Sequence, residues 1–214
     1  SLPTHGKPVF TTNHSNGISD MDSGNGNELP VGVWKHLVFV HDGAKDKIFI
    51  DGVLKAEKNV VGTLNSTTRP LGIGYNPIDG GNWFDGAIDE LAIYNTALSD
   101  SEVGSLYAAQ SAFPGTPNEL VAAYHLNGNG EDASGLHNDA TISETATAVA
   151  NRHNWGANAL SGYATADNSP ALQSDYTTIS FWVKPNSFPG SGEVFLLSNG
   201  GWQERWKISL PSHG

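Results

Sequence analysis

The chain has no cysteine, which excludes disulfides, zinc–thiolate centres and a cysteine nucleophile and leaves stability to a packed core. Basic residues are scarce as well: 11 Lys and Arg stand against 22 Asp and Glu, a formal net charge of −11. Such a field repels nucleic acid and anionic membrane surfaces, so neither is expected as a partner. It is compatible with Ca²⁺ binding, and equally with acidity that only keeps the protein in solution. No apolar run approaches the roughly 18 residues of a membrane helix, and the first residues carry no basic-then-apolar signal pattern, so no membrane insertion is expected.

What is abundant is turn chemistry. With 25 Gly and 11 Pro, 38% hydrophobic and only 15% charged residues, the 214 residues read as short strands between tight turns, and that length suits one all-β domain. Trp34–His41 (WKHLVFVH) is a near-continuous apolar run stopped by Asp42-Gly43, the pattern of a central strand. Residues 47–56 (KIFIDGVLKA) predict a two-residue hairpin, because Asp51-Gly52 tolerates the positive φ angles of its turn. Further strands are predicted over 70–74 and over 86–94 (GAIDELAIY), which alternates as a half-buried strand does. One helix follows: Ser99 and Glu102 form a capping box, and Val103, Leu106 and Tyr107 share a face.

Residues 111–119 (SAFPGTPNE) have the composition of an extended connection. Beyond them, strands are predicted at 120–126, 159–165, 177–183 (closed by Pro185), 194–197 and 202–210, with a polar Gly-rich loop at 127–138. The chain begins on SLPTHG and ends on SLPSHG, as though a tandem array had been cut inside its repeat unit. Two sequons stand at Asn13-His14-Ser15 and Asn65-Ser66-Thr67.

The run WKHL at 34–37, the hairpin IFIDGVL and the phrase FDGAIDELAIYNTALSDSEV with its helix resemble the C-terminal half of laminin-G-like jelly-roll domains. These belong to the concanavalin A-like lectin/glucanase superfamily. The segment LVAAYHLNGNGEDASG and the strand TISFWVKP resemble that family's N-terminal half, whereas ALSGYATA departs from the Phe-Asp-Gly turn usual there. The resemblance implies an all-β jelly-roll β-sandwich of two antiparallel sheets with one short helix, circularly permuted. Residues 1–110 would be the family's C-terminal half, 111–119 the connection and 120–214 the N-terminal half, with the hexapeptides marking a seam. A monomer that closes on itself is expected, and a domain-swapped dimer is the alternative.

The same resemblance implies a structural Ca²⁺ site at Asp89, with Asp132 and Asn138 from the acidic loop supplying further oxygen ligands. Asp20, Asp22, Asn25 and Asn27 alternate like the start of an EF-hand, but Gly24 occupies a ligand position and no Glu stands twelfth, so that match fails. Trp83, Tyr75 and Trp155 lie in Gly- and Asn-rich surroundings. Trp83 and Tyr75 with Asn76 and Asp79 offer an aromatic face beside hydrogen-bonding oxygens, the arrangement that stacks on and orients a sugar ring; a Trp folded down over a sandwich edge is the competing reading. His5, His14, His36 and His41 lack a spacing that marks a metal triad.

The paired carboxylates of the superfamily's glucanases, E-x-D-x-E on one strand, are missing, and Asp89 and Glu90 are adjacent and so point apart. No nucleophile elbow and no zinc-protease helix appears either. The expectation is a non-catalytic, calcium-stabilised module of an extracellular multi-repeat protein, secreted or on the cell surface, that binds carbohydrate or a glycoprotein or mediates adhesion. A spacer repeat without a ligand is the alternative.

Overall fold

The computed structural model describes residues 6–109, 119–154 and 158–212. It is a sandwich of two antiparallel sheets with one helix of more than a turn. The connection at 111–118, Trp155, His5, nearly all of the first hexapeptide and the last two residues of the second lie outside the described residues.

The first sheet holds seven strands, β1 (Val9–His14), β2 (Gly17–Asp22), β6 (Leu71–Ile73), β9 (Ala140–Ile142), β12 (Ala164–Ala166), β14 (Glu193–Asn199) and β15 (Trp206–Pro211). Their spatial order is β2-β1-β15-β14-β6-β12-β9. The second sheet runs β10 (Thr147–Val149), β11 (Ala159–Ser161), β7 (Gly86–Tyr94), β13 (Thr177–Pro185), β3 (Lys35–His41), β4 (Lys45–Ile50) and β5 (Val53–Asn59), with β8 (Leu120–Tyr124) also paired to β7.

These elements follow from local chemistry. Asp51 and Gly52 both have positive φ (52° and 75°), the geometry of the hairpin turn predicted between β4 and β5. Helix α1 (Asp100–Ala109) is capped as expected: Glu102 accepts from the Ser99 backbone N–H at 2.7 Å and the Glu102 N–H donates to Ser99 Oγ at 3.4 Å. The stretch 159–165 is broken at Gly162 into two strands that join different sheets. The β1–β2 hairpin was not expected, because Thr11, Thr12, Asn13 and His14 are buried polar residues and give no apolar period.

Strands from the two halves of the chain interleave. β13, from the second half, lies between β7 and β3 of the first, with Phe181 opposite Leu37 on one side and Ile179 opposite Ile93 on the other. In the other sheet β15 pairs with β1, Val9 standing opposite Ser209. The main core is correspondingly shared: Phe10, Phe39 and Ile48 pack in one cluster with Tyr124, Phe181, Leu197 and Trp206. A smaller cluster on the outer face of the second sheet places Val103 and Leu106 of α1 on Val38, Val40, Phe49 and Tyr94.

Candidate functional site

Two glycines build one open concave feature. Gly74 (φ +78°) and Gly162 (φ +121°) both occupy conformations that L side chains rarely adopt. A Cβ on Gly74 would stand 2.5 Å from the Gly162 carbonyl oxygen, and one on Gly162 would stand 2.6 Å from the Ala146 backbone. Only glycine permits this approach of the two turns, and it sets the neighbouring Tyr75 and Tyr163 rings 4.6 Å apart.

The loop after Tyr75 then folds back. The Asn76 N–H donates to the Gly81 carbonyl at 2.9 Å, the Ile78 N–H to Asn76 Oδ1 at 3.0 Å, and the Phe84 N–H to the Gly74 carbonyl at 2.9 Å. This return lays Trp83 flat over Tyr75, centroids 5.1 Å apart and planes 9° from parallel, with Tyr163 tilted against it at 4.5 Å. Trp83 remains 47% exposed, whereas Tyr75 is buried and its hydroxyl bonds with Thr165. Gly74, Trp83, Phe84, Thr145, Gly162 and Tyr163 line an open cavity of about 470 Å³.

Of the four residues expected to contact ligand, Trp83 therefore lines the cavity and Tyr75 backs it. Asn76 and Asp79 are joined instead to each other, Nδ2 to Oδ2 at 2.8 Å, and hold the loop closed. Tyr163 and Thr145 were not anticipated; the only sequence signal was a second glycine-aromatic step, Gly162-Tyr163, repeating Gly74-Tyr75.

Asp89, Asp132 and Asn138 are held differently. Asp132 is buried, and both its oxygens are in use: Oδ1 accepts from the Ala123 N–H (2.8 Å) and Ser134 N–H (2.9 Å), Oδ2 from Ser134 Oγ (2.8 Å) and the Asn138 N–H (2.9 Å). Asn138 donates its side-chain amide to the Val121 carbonyl at 2.7 Å. Together they tie the acidic loop to β8.

Asp89 sits at a bulge in β7, where Glu90 and Leu91 oppose the single residue Phe181 and Glu90 has φ 50°. Its Oδ2 lies 3.1 Å from the buried guanidinium of Arg152, which also stands over the Trp182 ring at 4.7 Å. Its Oδ1 is buried without a partner. Burial, reinforced by the Glu90 charge, pushes the Asp89 carboxyl up to about 7 in spite of Arg152. Glu90 pairs separately with His125 at 2.8 Å.

These three residues do not fit a calcium ion. The four lone-pair positions of Asp132 are already filled by donors, and the cation facing Asp89 is Arg152. No hydrogen bond or ion pair joins Asp89 to Asp132 or Asn138.

The other acidic positions serve local structure: Asp22 accepts from the Gly24 N–H at 2.7 Å, Asp20 from the Thr11 hydroxyl, and Asn25 from Lys7. The two sequon asparagines face each other, Asn65 Nδ2 donating to Asn13 Oδ1 at 3.0 Å, with Asn13 buried. His36 is a core histidine beside Trp182, bonded to Ser180 Oγ at 2.9 Å and lowered to about 4 by burial.

A laminin G family model, described as concanavalin A-like lectin/glucanases superfamily, matches residues 1–104, just under half of the chain. Neither the search of curated proteins nor that of solved structures found a match. Strands β8–β15 complete both sheets begun by the matched segment, and residues 1–104 are similar to the concanavalin A-like lectin/glucanases superfamily.

Proposed function

We propose that this domain is a non-catalytic carbohydrate-binding module whose ligand stacks on Trp83. Domains of this kind serve in general as lectin-like or adhesion modules and are typically non-catalytic. The single observation that carries the specific reading is the aromatic wall: a half-exposed indole stacked on Tyr75, with Tyr163 tilted against it, at the rim of a cavity of about 470 Å³. A flat apolar face beside hydroxyl groups suits the C–H face of a sugar ring, and a prebuilt wall limits the entropy lost on binding.

The arrangement of the chain supports one closed, permuted domain, because β15 and β1 are hydrogen-bonded neighbours at the two ends of the described chain. An extracellular setting accords with the usual place of laminin-G-like domains. Among the described residues no helix is long and apolar enough to cross a membrane.

A glycan array followed by titration calorimetry tests the reading. Saturable binding of a glycan, weakened at least tenfold in Trp83→Ala and Tyr163→Ala proteins that melt like the parent, supports it. A silent array, or affinity indifferent to both substitutions, would leave the domain as a spacer repeat.

A further inference from the structure

β1 meets the β3–β4 hairpin across the core. His41 and Asp46 are cross-strand partners, and Thr12 and His14 lie two residues apart on one face of β1. His14, His41 and Asp46 are all buried, 4%, 0% and 0% exposed, and one potential ligand atom from each lies within 4.8 Å of the other two. We propose that these residues form a binding site for a first-row divalent metal of the Zn²⁺ class, linking the two sheets.

The existing hydrogen bonds tie the three residues into one cluster through Thr12. Asp46 Oδ2 accepts from the Thr12 hydroxyl at 2.6 Å, and its Oδ1 faces His41 Nδ1 at 2.8 Å. Thr12 Oγ1 stands 2.8 Å from His14 Nε2. Since the hydroxyl donates to Asp46, His14 must carry its proton on Nε2, and His41 must carry one on Nδ1. That leaves His14 Nδ1 and His41 Nε2 buried and without a hydrogen-bond partner, an expensive condition for ring nitrogens.

A metal ion would take the nitrogens that face one another: each ring keeps one proton, moved to His14 Nδ1 and His41 Nε2, so that His14 Nε2, His41 Nδ1 and an Asp46 oxygen become ligands.

Nitrogen and carboxylate donors select Zn²⁺, Co²⁺ or Ni²⁺ over Ca²⁺. Tetrahedral ligands stand roughly 3.4 Å apart, so the cluster needs to contract by about 1 Å. Access comes from a groove of about 200 Å³ between the β1–β2 turn and the end of β5, lined by His14, Asn16, Ser19, Lys58 and Val61 among others. Three protein ligands leave a fourth position for water from that groove, beside the Thr12 hydroxyl.

Titration of the metal-free protein with Co²⁺ gives the test. The expected result is one ion per chain, with the visible absorption of tetrahedral nitrogen–oxygen coordination, displaced by Zn²⁺ and weakened at least tenfold in His14→Gln. If that variant does not fold, histidine ring nitrogen NMR of the parent protein decides: Zn²⁺ must shift His14 and His41. No tight binding, unchanged affinity in a folded His14→Gln protein, or shifts confined to His125, His137 or His153 would overturn the proposal.

Discussion

Replacing Asp89 by Asn removes a single ionisable proton from the bulge of β7 while keeping the shape of the side chain and an acceptor for Arg152. Burial raises the folded carboxyl from 3.8 to about 7. Between those values the folded chain binds more protons than the unfolded one, so the contribution of Asp89 to stability is present below about pH 4 and is lost as pH rises towards 7. At about 1.4 kcal/mol per pH unit the loss amounts to about 4 kcal/mol. Asp89→Asn lacks this titration. Its own offset, from exchanging a neutral carboxyl for an amide beside Arg152, is about 1–3 kcal/mol and independent of pH.

Urea unfolding of both proteins from pH 4 to pH 8 measures the difference directly, because nearly all other groups titrate in both chains and cancel. The variant should gain about 4 kcal/mol on the parent across that range, most of it between pH 4 and pH 7. A difference constant to within about 1 kcal/mol would refute the account of a carboxyl held in its neutral form by burial. Repeating the series with Ca²⁺ separates the alternatives. An ion on Asp89 would displace the proton and stabilise the parent alone at high pH, whereas no calcium effect on either protein is expected.

Other consequences can be checked as simply. Gly74→Ala drives a Cβ to 2.5 Å from the Gly162 carbonyl at φ +78°; it should destabilise by about 1–3 kcal/mol and shift Trp83 fluorescence as the stack on Tyr75 loosens. Phe181→Ala opens a cavity where strands of the two halves meet, and thermal or urea melts should record a loss of about 3–5 kcal/mol. Segments 1–110 and 111–214 expressed apart should each lack a cooperative melt and regain it on mixing, because β13 has both neighbours in the other segment. Two independently folded segments would contradict the shared core.

Much of the architecture could be read from local pattern. Trp34–His41, the Asp51-Gly52 hairpin, the strand ending at Tyr94 and the Ser99 capping box are determined by residues within a few positions of one another, and all appear in the structure where they were expected.

What tertiary structure alone decided is the fate of polar and charged side chains, whose energies depend on partners distant in sequence. β1 is a strand because Thr12 reaches Asp46 and Asn13 reaches Asn65, hydrogen bonds across 34 and 52 positions that no periodicity records. Trp83 and Tyr75 were legible as an aromatic pair, but Tyr163 joined them only through the contact of two glycine turns far apart in the chain. The family resemblance implied Asp89 as a metal ligand; the fold sets it against Arg152, because the chain returns 63 residues later to cover it. His14, His41 and Asp46 showed no spacing worth notice, yet the packing of one sheet on the other brings them within 4.8 Å. Apolar burial follows a period along the chain, whereas the cost of burying a charge or a ring nitrogen is met only by specific atoms, and only the folded chain assembles them.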